Sequence, residues 1–181
     1  WLAEQSRAKA RRAKKAQQMV KMGYLKQLAA ELKLKAAFEW IDNFLRSTDE
    51  KLMVYTLHKK IMNQLRKRYK DICVHIDGDV SVKKRRKIIR IFNNNKKKRL
   101  FLGQMKAIGT GTDKLQTSCS YGLVLEFGWT PGVHLQAEDR LHRFGQKHKV
   151  FITYLVARDT IEEYLCKVIQ KKQKVLEEVL D

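Results

Sequence analysis

The chain has 181 residues, enough for one domain with a hydrophobic core and a modest appendage, and its 44% of hydrophobic residues excludes a disordered tail. Lysine and arginine number 39 against 19 aspartate and glutamate, so the formal net charge is +20. This excess favours an acidic polymer, most simply nucleic acid, as the partner, with an anionic membrane as the competing interpretation. No apolar run reaches membrane-spanning length, so we expect no membrane partner.

The first 45 residues are predicted to be mainly helical. Residues 1–21 carry seven lysines or arginines and one glutamate, which indicates a basic helix or a frayed arm, either solvated or in contact with DNA. From Leu25 to Leu45, apolar residues recur at helical spacing, so we expect an amphipathic helix that packs on the domain.

Short apolar runs then alternate with helical patterns. Strands are predicted at residues 52–56, 72–76, 100–104, 122–127 and 150–156, and helices at residues 58–69, 81–92, 133–144 and 160–180. This alternation predicts an α/β fold with a mainly parallel sheet of about five to six strands, covered by helices on both faces. Ligands bind such sheets beyond the carboxyl ends of their strands.

Residues 136–146 read QAEDRLHRFGQ and contain two arginines three positions apart. On the predicted helix, Arg140 and Arg143 share one face and can point at one anion, and Gln136 lies one turn earlier as a neutral donor. Gly145 is expected to end this helix. Two guanidinium groups aimed at one point suit a phosphate whose charge spreads during bond cleavage. The alternative is a solvated helix face with two unrelated arginines.

The string 136–146 closely resembles motif VI of the Swi/Snf-like ATPases of helicase superfamily 2, where it supplies the arginine fingers. Residues 127–132 (FGWTPG) resemble the family's W-N-P-G, and residues 150–181 resemble its VxxxYLVAxxTxExxL stretch. The resemblance runs from about Leu25 onward and implies the second RecA-like lobe of such a motor. It implies three segments: a basic helical segment at residues 1–46 that joins the first lobe, the lobe at 47–158, and a C-terminal brace helix at 159–181.

The same resemblance implies nucleotide contacts from Gln136, Gly111 and Asp113, beside the catalytic arginines Arg140 and Arg143. Residues 106–116 (KAIGTGTDKLQ) lie where motif V is expected, and Gly111-Thr112-Asp113 resembles the Gly-x-Asp that many superfamily 2 helicases place by the ribose. Compared with the common Swi/Snf form of motif V, this stretch carries two extra residues before Trp129.

Further stretches that resemble the family point at DNA. Residues 52–59 lie where motif IV is expected, and residues 76–85 (IDGDVSVKKR) resemble the family's DG-(S/T)-x(4–5)-R. A helix start with Ser81 as its cap, free backbone amides and a nearby arginine suits a DNA phosphate, although an ordinary turn with a surface arginine is the alternative. Residues 83–99 hold ten lysines or arginines and no acid, and are either a backbone contact or a solvated segment. The predicted DNA contacts are His58, Lys59, Gly78, Arg85 and Lys106.

The chain lacks a GxxxxGK(S/T) phosphate loop and an Asp-Glu pair, which bind Mg-ATP and in the family belong to the first lobe. We therefore predict the second motor lobe of an ATP-dependent translocase or remodeller of double-stranded DNA, inactive as an ATPase when isolated. Its branch is closest to the annealing helicases and fork remodellers, and its expected partners are duplex or forked DNA and the first lobe of the same polypeptide.

Two alternative functions remain open. One is a non-catalytic basic module that binds nucleic acid or chromatin and retains the lobe fold. The other is a lobe of a restriction- or defence-type helicase. The scattered Cys73, Cys119 and Cys166 predict a reducing intracellular compartment without a metal site, which is the nucleus if the source is eukaryotic and the cytoplasm otherwise.

Overall fold

The computed structural model describes residues 2–109 and 111–180. Three residues lie outside the described ranges: Thr110 of the motif V stretch, and Trp1 and Asp181, which are the outer limits of the predicted segments. Within those residues, two helices are followed by strands and helices in alternation. The elements are α1 (Leu2–Leu32), α2 (Leu34–Ser47), β1 (Leu52–Thr56), α3 (Lys59–Arg68), β2 (Cys73–Ile76), α4 (Val82–Asn94), β3 (Leu100–Gln104), β4 (Tyr121–Val124), α5 (Pro131–Glu138), β5 (Phe151–Tyr154) and α6 (Ile161–Leu180), with a short 3₁₀ turn at Leu115–Thr117.

The strands form one parallel sheet in the order β2-β3-β1-β4-β5, which confirms the predicted α/β fold, the parallel sheet and the lower of the predicted strand numbers. Strand β1 is central, and Leu52 lies opposite both Leu100 of β3 and Tyr121 of β4. Because every strand runs the same way, the loops that follow β1, β2, β3 and β4 meet at one edge of the sheet.

Both faces of the sheet are covered, as predicted. All five residues of β1 are fully buried, since Leu52 and Val54 face one layer while Met53 and Tyr55 face the other. The first layer contains α2 and α3, and the second contains α4 and α5. Helix α6 packs on a smaller cluster formed by Phe127, Leu165 and Ile169.

The N-terminal segment differs from the prediction in its boundaries. Instead of one helix from Leu25 to Leu45, α1 runs to Leu32 and α2 begins at Leu34, with Lys33 between them at φ −88° and ψ 0°. Residues 2–21 of the basic segment are part of α1, so there the structure shows the helical alternative rather than the frayed arm. Among the described residues, none of the helices has the length and apolar character needed to cross a membrane.

The break between α1 and α2 coincides with a buried ion pair. The Lys33 ammonium donates to both carboxylate oxygens of Glu162 at 2.7 and 2.5 Å and to the carbonyl of Leu155 at 2.7 Å. The side chains of Lys33 and Glu162 are 6% and 1% exposed. Glu162 also accepts the backbone N–H of Ala157 at 3.0 Å, so one carboxylate joins the helix break, the end of β5 and α6.

Replacing Glu162 with alanine should destabilise the fold strongly, because it leaves the Lys33 ammonium buried without its counter-charge. We expect a loss of about 3–5 kcal/mol in the free energy of unfolding, measured by urea denaturation. The control is Glu163→Ala on the same helix, whose side chain has no partner among the described residues and should cost less than about 0.5 kcal/mol. Equal effects of the two substitutions would contradict a stabilising role for the pair.

Candidate nucleotide and nucleic-acid site

Helix α5 is held against the central strand, and this fixes the segment that carries the two arginines. Pro131 begins the helix after Thr130, which is extended, as suits a proline at the first helical position. The Tyr55 hydroxyl donates to the carbonyl of Ala137 at 2.7 Å, and Ala137 and Leu141 are buried in the same layer of the core. The turn that begins at residue 139 therefore lies at the carboxyl edge of β1.

The predicted motif helix is shorter than the sequence suggested. Residues 133–144 were expected to form one helix ended by Gly145, but α5 stops at Glu138 and turns follow. Within those turns, the backbone N–H groups of Arg140 and Leu141 bond the carbonyls three residues earlier, at 3.3 and 2.9 Å. Side chains add tertiary bonds: Arg140 Nη2 donates to the carbonyl of Gly109 at 2.8 Å, and Gln146 Nε2 donates to that of Cys119 at 3.0 Å. Gly145 adopts φ +90° within the turns, not at the end of the helix.

The structure brings both arginines to one carboxylate. Arg143 Nη1 donates to Asp113 Oδ1, and Arg140 Nη1 lies 3.8 Å from the same oxygen. The Arg140 side chain is 15% exposed, and its Nε atom is buried without a hydrogen-bond partner. The two guanidinium groups therefore lie beside one anionic group, which is the arrangement expected of a pair that binds one anion.

Gln136, Gly111 and Asp113 lie around these arginines. The Gln136 amide is close to Gly109, since a methyl group added to that glycine would lie 3.9 Å from Gln136 Oε1. Gly111 adopts φ +66°, and an added Cβ would approach Val82 at 3.1 Å, so the turn requires glycine. The arrangement shows Asp113 as the counter-ion of the arginines, while its contact with a ribose stays a prediction.

Three post-strand loops are tied together beside this site. Lys59 pairs with Asp79 at 2.5 Å, although both side chains are exposed. The Gln104 side chain accepts the backbone N–H of Gly78 at 3.1 Å and donates to the carbonyl of Leu57 at 2.8 Å. The predicted DNA residues Lys59 and Gly78 are therefore neighbours at one edge of the sheet.

Arg85 is predicted to hold a DNA phosphate, with an ordinary turn and a surface arginine as the alternative, and the structure places its side chain below the surface. Its side chain is buried, Nε donates to the carbonyl of Val80 at 2.9 Å, and Nη1 donates to the carbonyl of Ala107. These bonds connect the loop after β2 with the motif V stretch, which carries the exposed Lys106. This geometry favours a positioning role for Arg85. Ser81 does precede α4, but its side chain makes no capping hydrogen bond.

His58 is held by an acid that the sequence analysis did not single out. Glu126, 2% exposed, bonds the His58 ring at Nδ1 and accepts the backbone N–H groups of Leu57 and His58 at 2.7 and 3.0 Å. The available signal was a lone acid between Leu125 and Phe127 in an otherwise apolar run. Glu126 therefore fixes the loop after β1 from the end of β4.

Lys26 is a second residue that the sequence analysis missed. It lies 3% exposed in α1 with its ammonium 4.3 Å from the centroid of the Trp129 ring, and no periodicity marks a buried lysine on a basic helix. Burial lowers the pKa of Lys26 to about 8, and the carboxylates of Glu126 and Glu162 offset part of that shift. Trp129 itself is partly exposed and covers this lysine.

No group of three or more histidine, cysteine, aspartate or glutamate side chains suited to a metal ion occurs within residues 2–109 and 111–180. The location of Mg²⁺ on a first lobe stays a prediction.

The loops that follow the strands of this five-stranded parallel sheet bring together two motif VI arginines, a motif V turn and a basic edge. This arrangement defines a RecA-like lobe of the helicase type. Residues 33–145 match the helicase conserved C-terminal domain, and the chain belongs to that family.

Similar proteins are Swi/Snf-like superfamily 2 ATPases. The SWI/SNF-related matrix-associated actin-dependent regulator of chromatin subfamily A-like protein 1 of Xenopus tropicalis is 37% identical over 152 residues, covering 81% of this chain and 16% of that protein. A protein of Mycoplasma pneumoniae described as an uncharacterized ATP-dependent helicase is 31% identical over 151 residues, covering 82% of this chain and 14% of that protein. The C-terminal part of the Fun30 ATPase domain has a similar structure, with a TM-score of 0.68 and 25% identity, covering 76% of this chain and 44% of that one. This chain thus spans only a small part of the length of these curated relatives, 16% and 14%.

The lowered pKa of Lys26 predicts how stability depends on pH. Between pH 8 and 10 the unfolded chain keeps the Lys26 proton while the folded chain releases it, so the free energy of unfolding should rise with pH in that window. Lys26→Met should remove about 1 kcal/mol or more of that rise, measured by urea denaturation at pH 7.5 and 9.5. The exposed Lys171, replaced in the same way, should leave the rise unchanged. Identical pH profiles for Lys26→Met and the parent would contradict the assignment.

Proposed function

We propose that the chain is the second motor lobe of an ATP-dependent translocase or remodeller of double-stranded DNA, in which Arg140 and Arg143 act as arginine fingers. The observation that carries this proposal is their convergence on one anionic group. Paired guanidinium groups at a carboxyl edge of a parallel sheet suit a phosphate that an opposing lobe presents. Helicase family membership and ATP-dependent relatives support the same assignment.

Asp113 keeps the two arginines aligned while no phosphate is present. Arg143 donates to the Asp113 carboxylate, which is exposed, and can exchange it for the γ-phosphate of ATP held mainly, with Mg²⁺, by the first lobe. The bond from Arg140 to the carbonyl of Gly109 holds that side chain in place during the exchange. The guanidinium groups then stabilise negative charge as it moves onto the leaving group, so their energy is delivered mainly in the transition state. Gln136 and Gly111 complete the nucleotide-facing wall.

On the DNA side, a basic edge follows one strand of a duplex through its phosphates. This edge is formed by His58, Lys59, Gly78 and Lys106, and Arg85 positions the loops that carry them. In this proposal residues 1–46 lead in from the first lobe, residues 47–158 form the motor lobe and residues 159–181 brace it. The partners are duplex or forked DNA and the first lobe, and the compartment is the nucleus in a eukaryote and the cytoplasm otherwise.

Replacing Arg140 or Arg143 with alanine in the two-lobed protein should abolish DNA-stimulated ATP hydrolysis and leave DNA affinity within about threefold. Arginine fingers contribute roughly 10³–10⁵ in rate, and lysine should not rescue either position because it lacks the planar fork. Steady-state ATPase rates and fluorescence anisotropy with a labelled duplex measure the two properties.

The control is Arg66→Ala, since among the described residues the Arg66 side chain bonds only Asn63 of its own helix, at 3.2 Å, and its loss should not change turnover. Near-normal turnover with lost DNA affinity in the Arg140 and Arg143 variants would instead identify motif VI as a DNA contact. That result would favour the non-catalytic basic module.

The 181-residue chain alone should not hydrolyse ATP above background, because it carries no phosphate loop. The protein with both lobes should hydrolyse ATP when DNA is added. A duplex-stimulated rate in the isolated chain, measured by phosphate release, would contradict the half-site proposal.

A further inference from the structure

A continuous groove runs along the outer side of α4, away from the residues proposed to contact the duplex. Three adjoining hollows of about 330, 550 and 440 Å³ share Arg90 as a common wall. Since α4 has 13 residues, the groove is about 20 Å long. None of His58, Lys59, Gly78 or Lys106 is among its described lining residues.

The groove is basic on both sides. Helix α4 contributes Lys83, Arg86, Lys87 and Arg90, which are exposed and make no ion pair or hydrogen bond with another described residue. Lys114 contributes a cation from the opposite wall of the middle hollow. The only acid among the described lining residues is Asp113, which is paired with Arg143.

Helix stability does not explain this charge pattern. The pairs Lys83–Lys87 and Arg86–Arg90 are spaced four residues apart, so each pair repels on the helix surface. The first turn of α4 contains lysine and no acid, which is the unfavourable arrangement for the helix dipole. The basic side chains of α4 therefore lower the stability of that helix, and binding of an external polyanion accounts for their presence.

The backbone at Lys114 supports the same interpretation. Lys114 adopts φ +75°, which is costly for a residue with a side chain, and its carbonyl is held by the Asn93 side-chain amide of α4 at 2.8 Å. This bond couples the motif V turn to α4 and keeps Lys114 on the wall of the groove. By contrast, Arg99 lies beyond the groove and donates to the carbonyls of Leu45 and Glu50.

From these features we infer that the α4 groove binds a single strand of nucleic acid, separately from the duplex track. A duplex is too wide to enter hollows of this size, whereas a flexible strand can lay successive phosphates along the cations. No aromatic side chain is found among the described lining residues, so bases rest against Ile91, which is 38% exposed, and the guanidinium planes of Arg86 and Arg90. The inference goes beyond the proposed motor function and requires no ATP turnover.

The test compares the parent chain with Arg86→Gln/Arg90→Gln and a charge-matched control, Lys171→Gln/Lys172→Gln, whose lysines are exposed on α6. Anisotropy is measured with a labelled 20-nucleotide oligothymidylate and, separately, with a 20-base-pair duplex. The groove variant should lose about tenfold or more in oligothymidylate affinity at 0.1 M salt, and its log–log salt slope should shrink by about 1.4. The control should lose less than threefold, and both variants should keep duplex affinity within threefold.

Three results would overturn the inference. Equal losses in the groove variant and the control would reflect net charge alone. A loss of duplex affinity equal to the loss of single-strand affinity would make the groove part of the duplex track. Displacement of labelled oligothymidylate from the parent by poly-L-glutamate, as effective as by unlabelled oligothymidylate, would identify a general polyanion surface. Failure of the motor proposal is distinguishable, because it appears in duplex binding and ATP turnover.

Discussion

Four charged side chains are buried at the carboxyl edge of the sheet: the ammonium groups of Lys26 and Lys33 and the carboxylates of Glu126 and Glu162. Because a buried charge needs an opposite charge nearby, this constraint fixes the positions of the surrounding helices and strands. Lys33 bonds Glu162, while Lys26 lies over Trp129 within the field of Glu126 and Glu162. Burial lowers the pKa of both lysines, so each costs stability unless the neighbouring carboxylates stay in place. One network therefore joins the N-terminal helices, the end of β4 and the closing helix.

The same edge also holds a second, more exposed set of charges, formed by Asp113, Arg140 and Arg143. Asp113 is 63% exposed where it meets Arg143, so water screens that pair and its exchange for another anion is inexpensive. Arg140 is more enclosed and is kept in position by the carbonyl of Gly109. Buried charges thus fix the loops, while the exposed pair of Arg143 and Asp113 can separate at little cost, as the proposed exchange for a phosphate requires.

Much of the fold could be predicted from the sequence because the apolar runs are short and alternate with helical patterns, as at β1 and α3. The end of α5 could not, since residues 139–144 keep helical spacing in the sequence, and the tertiary bonds of Arg140 and Gln146 that accompany the turn are made to residues distant along the chain. The burial of Arg85 could not be predicted either, because spacing alone cannot tell an exposed arginine from one that bonds distant carbonyls. The buried Lys26 gave no signal for the same reason, since its partners lie about 100 residues away or more along the chain.

The central position of β1 constrains the order in which the chain can fold. Leu52 pairs with Leu100 and Tyr121, roughly 50 and 70 residues further along, and parallel neighbours this distant make folding slow. During synthesis, β1 must remain without either strand partner until β3 emerges, and its largely apolar sequence is then open to mispairing. Because α5 docks on Tyr55 of the same strand, the arginine turn is assembled only after the sheet has closed around β1. Before that stage, folding intermediates of this lobe lack the pairing of Arg140 and Arg143 with Asp113.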